Sequence, residues 1–319
     1  MNRIVTLYKR FGGVNLFREY LQTGFLFKAP FLLLYTGFSN KGLELFREAA
    51  SFTTYKYLRR KYKKILVSNE QSMQSNLQCI RKVWIFWWQG MDSAPYLVQK
   101  CYHSVCNQLC DWEIIVISRD NYKDFVSFPQ FILDKLEAGK ITLTHFSDLL
   151  RVELLIRYGG LWLDATVLCT DRNIPKVILE SDLFVYQTQK PGANGHATVM
   201  SSWCIWARPR NRILCTTRSL LYAYWQKHDR LLDYFLLHHF FTLACEYHAD
   251  EADRIPPYTN ETPHLLLLHF FNTYQERLWE DWRRQSCFHK LSYKLPQADT
   301  IRKGTFYDKI INDGNGNPS

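Results

Sequence analysis

The run Lys82-Val83-Trp84-Ile85-Phe86-Trp87-Trp88 sets the strongest limit on what this chain can fold into. No polar residue interrupts it after Lys82, so a strand built from it shows apolar side chains to both faces of its sheet and needs cover on both. A second such run, Glu113-Ile114-Ile115-Val116-Ile117, follows a predicted helix that opens at Pro95, where proline suits the first turn. Strand, helix and strand within about 35 residues make a parallel crossover unit. The chain has 319 residues, 47% hydrophobic and 16% aromatic, enough apolar surface to cover such a sheet and to exclude disorder for most of its length. The expectation is an α/β layer fold with ligands at the carboxyl ends of the strands.

Charge divides the chain. Residues 1–70 carry 13 Lys and Arg against 4 Asp and Glu, while residues 71–319 carry 27 against 26. Two regions follow: a basic amphipathic helical extension over 1–70 and the α/β body over 71–319. Within the first, Val14, Phe17, Leu21 and Phe25 recur at helical spacing up to Phe38, and a second helix is expected from Lys41 to Lys64. Its end mixes Lys56, Arg59, Arg60, Lys61, Lys63 and Lys64 with Tyr55, Tyr57, Leu58 and Tyr62. That mixture suits an anionic membrane surface, and equally a hairpin packed on the body with a solvated basic face. The polar stretch Ser68 to Gln78 reads as a linker. A nearly neutral body argues against nucleic acid as a partner.

No uncharged apolar stretch reaches the roughly 20 residues of a spanning helix, and Met1 to Arg10 lacks the pattern of a secretory signal. The expected location is cytoplasmic, peripheral on the inner face of the plasma membrane. Nine cysteines then read as reduced packing residues; Cys101, Cys106 and Cys110 lack the CxxC spacing of a zinc site.

The most informative segment runs from Phe146 to Val167. Ser147 is a candidate N-cap, and Asp148 and Arg151, three apart, project from one helix face. Gly159-Gly160 ends the helix and reverses the chain into a strand on which Trp162, Asp164 and Thr166 share a face. Such carboxylates and cations suit the ribose hydroxyls and diphosphate of a nucleotide sugar. The same residues also fit a structural ion pair and a turn cap. His238-His239 lacks the helix-face spacing of a metal pair, and His264 and His269, beside Leu265 to Leu268, read as core or lining residues.

The order Ser-Asp-x-x-Arg, Tyr-Gly-Gly, then apolar-aromatic-apolar-Asp-x-Thr resembles the capsular polysaccharide synthesis proteins, glycosyltransferases related to family 32 with an Asp-x-Asp-like motif. The resemblance runs from about Lys82 to Lys294 and includes Lys82 to Gly90, Asp111 to Val116, Ser201-Ser202-Trp203, Asp233 to Leu236 and Phe288 to Lys294. It implies a GT-A type nucleotide-sugar-binding fold, a Rossmann-like mixed sheet flanked by helices. It also implies Asp164, Asp148 and Arg151 as catalytic residues. The donor would be bound by these with Trp88, Thr166, Ser202, Trp203, His289, Lys290 and Lys294, Trp88 stacking on the base.

A divalent metal, Mn or Mg, is usual in such enzymes, with Asp164 and His289 as candidate ligands here. Thr166 stands where the second acid would ligate it, a much weaker ligand, and His289, Lys290 and Lys294 offer charge in its place. The implied function is transfer of a sugar from a nucleotide-sugar donor, UDP-linked, to a glycan or lipid-linked glycan in bacterial surface polysaccharide synthesis, with retention of configuration. The alternative is an inactive membrane-peripheral scaffold of the assembly complex.

Overall fold

The computed structural model describes residues 13–67, 81–188 and 200–312, so Met1 to Arg10 and the expected linker Ser68 to Gln78 lie outside the described residues. Its strands are β1 (Lys82–Phe86), β2 (Glu113–Ile117), β3 (Gly160–Leu163), β4 (Val167–Cys169), β5 (Leu183–Tyr186), β6 (Ser201–Ala207) and β7 (Phe288–Lys290). The longer helices are α1 (Gly13–Thr23), α2 (Ala29–Thr36), α3 (Asn40–Val67), α4 (Tyr96–Gln108), α5 (Gln130–Glu137), α6 (Leu143–Tyr158), α7 (Arg212–Lys227), α8 (Leu236–Tyr247) and α9 (Glu276–Gln285).

Five strands form one mixed sheet in the order β2-β1-β3-β6-β5, and β4 and β7 form a separate antiparallel pair. β1 lies parallel to both β2 and β3, while β6 runs antiparallel to β3 and β5. β1 is covered on both faces as expected, whereas β2, at the edge of the sheet, leaves Ile114, Ile115 and Val116 only half-buried. Trp84, Trp162 and Ile205 point into a core shared with α6, α7 and α8, and Val83, Ile85, Leu161 and Leu163 point into a second core with Val98 and Val105 of α4. The mixed α/β sheet flanked by helices is therefore the architecture of this chain.

Gly159 and Gly160 make the approach of β3 to β1 feasible. Both have positive φ, 67° and 97°, and a Cβ on Gly160 would stand 2.7 Å from the Lys82 carbonyl oxygen. The Gly159 carbonyl accepts from the buried Trp84 indole at 2.9 Å, so the same reversal satisfies the one polar atom of that side chain.

The amino-terminal region differs from one continuous helix to Phe38. Gly24, at φ 79°, ends α1, a single 3-10 turn follows at Phe25–Phe27, and α2 restarts with Pro30 in its first turn. The last part of α3 is buried in the sheet domain's own core through Tyr55, Leu58, Tyr62 and Leu66, Tyr62 meeting Phe240 of α8 edge-on at 5.2 Å. Core packing thus continues across the change in composition near residue 70. Lys56, Arg59, Arg60, Lys63 and Lys64 face outward from the same helix, a division that helical periodicity enforces. Among the described residues no helix is long and apolar enough to cross a membrane.

Candidate active site

α6 begins one turn earlier than Ser147 suggests. Thr142 is the N-cap, its hydroxyl accepting from the His145 backbone N–H at 3.4 Å. Ser147 therefore lies inside the helix, where its hydroxyl and carbonyl accept from Arg151 at 2.9 and 3.2 Å. The Arg151 guanidinium also donates to the Ser202 carbonyl on β6, stands 3.2 Å from Asp148 and 3.6 Å from Asp164, and lies 4.9 Å over the Trp162 ring. Its fork is fully engaged, which fixes the orientation of the whole group.

Asp164 follows β3 directly. Its backbone N–H donates to the Trp203 carbonyl at 2.8 Å and its carbonyl accepts from Val167 at 3.0 Å, closing a turn that ends the strand. The expected single strand through Thr166 is thus broken, because β4 leaves to pair with β7. That pairing sets Val167 opposite Lys290 and brings Lys290 Nζ to 3.1 Å from Asp164 Oδ2 and 2.6 Å from the Thr166 hydroxyl, to which it donates. The Trp162 indole donates to Asp164 Oδ1 at 3.1 Å.

Exposure separates these groups. The Asp148 and Arg151 side chains are 7% and 5% exposed, those of Asp164 and Lys290 26% and 19%, so Asp164 and Lys290 are the open pair. Burial pushes the Asp164 carboxyl up, but Lys290, Arg151 and the Trp162 indole outweigh it and hold it below its ordinary value, ionised at neutral pH. Asp148 goes the other way. Burial raises it against the pull of Arg151, and repulsion from Asp164 adds to the rise, to about 7. Its second oxygen lies 3.4 Å from His145 Nδ1, and burial together with Arg151 lowers that imidazole to about 4.

The remaining expected residues divide. Ser202 joins the group through its carbonyl. Trp203 is a wall rather than an open ring: it is 4% exposed, stacked on Tyr186 at 4.7 Å, with its indole donating to Asn260 at 2.8 Å. Trp88 is half-buried beyond the end of β1 and meets Tyr122 and Phe146 at 5.9 and 5.6 Å, beside the helix that carries Asp148. His289 is turned away, contrary to its expected place as a donor or metal contact. Side chains alternate along β7, so Lys290 faces Asp164 while His289, wholly buried, lies 3.2 Å from the Thr170 hydroxyl and 5.2 Å from the Trp279 ring. Lys294 is exposed over the Tyr293 ring at 5.8 Å and does not join the Asp164 group.

Two further residues near the site, Tyr234 and His238, lie in segments that the sequence singles out without giving them a place beside Asp148. Tyr234, 62% exposed, lies 6.3 Å from the His145 ring. His238 has a buried Nδ1 without a partner, and burial and Arg151 push its imidazole down to about 3. Adjacent helical positions point about 100° apart, so His239 diverges from it, to lie 2.6 Å from Asp233. Only the packing of α8 on α7 and α3 shows which histidine nears the acids.

The donor set does not fit a divalent metal. Asp164 is shared by two cations, Lys290 already occupies the Thr166 hydroxyl, and His289 points elsewhere. Among the described residues no three His, Cys, Asp or Glu side chains converge as a metal site.

"O-glycosyltransferase braB" of Annulohypoxylon truncatum is 31% identical over 94 residues, 27% of this chain and 22% of that protein. "O-glycosyltransferase PaGT" of Phomopsis amygdali is 25% identical over 141 residues, 39% of this chain and 34% of that protein. The chain thus spans about a third or less of the length of these curated relatives. The solved structure of the PaToxG glycosyltransferase has a TM-score of 0.41 and 12% identity, covering 83% of this chain and 97% of that one. The family model of the capsular polysaccharide synthesis protein matches residues 38–310, which takes in α3 as well as the sheet and the whole Asp164 group. The chain belongs to the capsular polysaccharide synthesis protein family.

Proposed function

We propose that this chain is a glycosyltransferase that moves a hexose from a nucleotide sugar, with UDP as carrier, to a glycan or lipid-linked glycan during surface polysaccharide assembly. The observation that carries this reading is the convergence of two cations on one ionised, partly open carboxylate, Asp164, at the carboxyl end of β3. A nucleoside diphosphate leaving group needs positive charge where its own negative charge grows, and fixed cations in a partly dry site supply it without reorganisation. Lys290, 19% exposed, is the cation within reach of the diphosphate, and Arg151 anchors the cluster. Asp164 faces the sugar. Asp148, with its oxygens taken by Arg151 and His145, acts by positioning the guanidinium rather than by touching the donor.

In the retaining mode, the bond between the anomeric carbon and the diphosphate oxygen breaks as the acceptor oxygen bonds to that carbon on the same face. The acceptor proton passes to the departing diphosphate, so no protein base is needed. Lys290 takes the place of a metal in this scheme. The acceptor is met at the inner face of the plasma membrane when it is lipid-linked.

Melting the protein with a panel of nucleoside diphosphates and their sugars, with and without Mn²⁺, tests the reading. A specific donor raises the midpoint by mass action, without Mn²⁺, and Lys290→Gln loses the rise. An inactive scaffold would show no rise and no diphosphate release with any donor.

A further inference from the structure

The tip of the α1–α3 hairpin has an outer surface that a water-facing hairpin does not need. Phe27, Phe31, Leu34, Tyr35 and Phe38 are 73%, 75%, 85%, 89% and 79% exposed, and they follow one another through the turn before α2, α2 itself and the turn after it. Single exposed apolar residues are ordinary, whereas a contiguous group of this size marks a surface that meets something apolar. Beneath it the tip is held by a small core of its own, Phe25, Ala29, Phe46 and Ala50, separate from the core of the sheet domain.

Cations outnumber acids beside that surface, Glu44 and Glu48 on the first turns of α3 being the acids. Lys28 and Lys41 bracket α2, both exposed, and α3 has no acid from Ala49 to Val67. A groove of about 750 Å³ between α2 and α3 is lined by Phe31, Tyr35 and Phe52 together with Lys28, Lys56 and Arg60. Apolar walls beside cations match a molecule with an apolar body and an anionic head. A second copy of this chain would bring the same cations against the first, which like charges oppose.

We infer that α2 and its flanking turns form a membrane wedge, lying in the interface of a bilayer that contains anionic phospholipid. Phe27, Phe31, Leu34, Tyr35 and Phe38 enter the boundary of the acyl region, and Lys28, Lys41, Lys56 and Arg60 meet headgroup phosphates. This places the apolar contact on α2. Of the tyrosines interleaved with the basic residues of α3, Tyr55 and Tyr62 are buried in the protein and are not available for it, while Tyr57 lines the groove. The wedge uses none of the residues of the Asp164 group.

Flotation with vesicles tests it on the full chain. The wild type floats with vesicles of phosphatidylcholine and phosphatidylglycerol, and less with phosphatidylcholine alone. The triple variant Phe31→Ser, Leu34→Ser, Tyr35→Ser floats about tenfold less, and Lys56→Gln with Arg60→Gln removes the preference for the anionic lipid. If the triple variant melts early, Leu34→Glu alone serves instead, since that side chain is 85% exposed. Wild-type protein that stays at the bottom of the gradient, or variants that float as the wild type does, would overturn the wedge. So would a concentration-dependent dimer in solution that the triple variant abolishes. Asp164→Asn floats like the wild type, which keeps failure of the wedge separate from failure of the proposed transfer reaction.

Discussion

The Asp164 group and the hairpin tip treat water in opposite ways. At the first, charged side chains are withdrawn from solvent, with Asp148 and Arg151 almost closed off and Asp164 and Lys290 partly open. At the second, large apolar side chains stand in solvent, Tyr35 at 89% and Leu34 at 85%. Each arrangement carries a free-energy penalty that folding alone does not require, since buried ion pairs often gain little over apolar replacements and exposed rings forgo burial. The difference lies in what relieves the penalty. The buried charges already satisfy one another through a network of ion pairs and hydrogen bonds, so the site is preorganised. The tip has only a small core and no counterpart among the described residues, and the wedge proposed above takes its relief from a bilayer.

Substitutions can break this contrast in order of size. Arg151→Ala should have the largest effect, because it strands Asp148 and Asp164 without their shared cation. About 3–5 kcal/mol of unfolding free energy should be lost in a denaturant titration, together with all transfer. Lys290→Gln leaves a shorter, neutral donor at the open side of the group. It should lower turnover about 100-fold while the unfolding free energy changes little, so the two measurements together separate a catalytic cation from a structural one.

The triple substitution in α2 should do the reverse. Vesicle binding should fall about tenfold, with stability in solution within about 0.5 kcal/mol of the wild type, because the replaced side chains bury little in the chain.

The last effect is on pH dependence, where a substitution changes a slope rather than a binding or a turnover. Burial holds His145 and His289 at about 4, below the ordinary 6.5, so between these values the unfolded chain takes up protons that the folded chain refuses. Stability therefore falls as pH drops from 6.5 towards 4, by at most about 1.4 kcal/mol per pH unit for each imidazole. Asp148 opposes this. Its raised carboxyl keeps a proton in the folded state that the unfolded chain releases, so its contribution falls as pH rises towards 7. His289→Asn should flatten the acid side of a plot of thermal midpoint against pH. If the slope is unchanged, His289 is not held neutral by burial.

Much of the sheet could be read directly because its signals are local. β1 and β2 fall within the two apolar runs, and Asp148 and Arg151 meet because three-residue spacing on a helix brings them together. What escaped depends on distant pairing. Thr142 and Ser147 are both competent caps, and only the helix start chooses between them. Alternation says that His289 and Lys290 face opposite ways, but which one faces Asp164 is set by the register of β7 on β4, more than 100 residues earlier in the chain. That register turned an expected histidine contact into a packing residue and left Lys290 with Thr166. The approach of His238 and Tyr234 likewise needs α8 and the turn before it held in place on α7 and α3. Gly24 looked like an ordinary position in a helical pattern, yet its left-handed backbone splits that helix and creates α2, the segment with the most exposed rings.

Release of nucleoside diphosphate from a panel of nucleotide sugars, compared between the wild type and Asp164→Asn at matched thermal midpoints, tests the central claim most directly. The wild type should turn over at least one donor, and Asp164→Asn should release diphosphate about 100-fold more slowly or not at all. Equal release by the two proteins, or none by the wild type with any donor, would contradict the assignment of the Asp164 group as the site of sugar transfer.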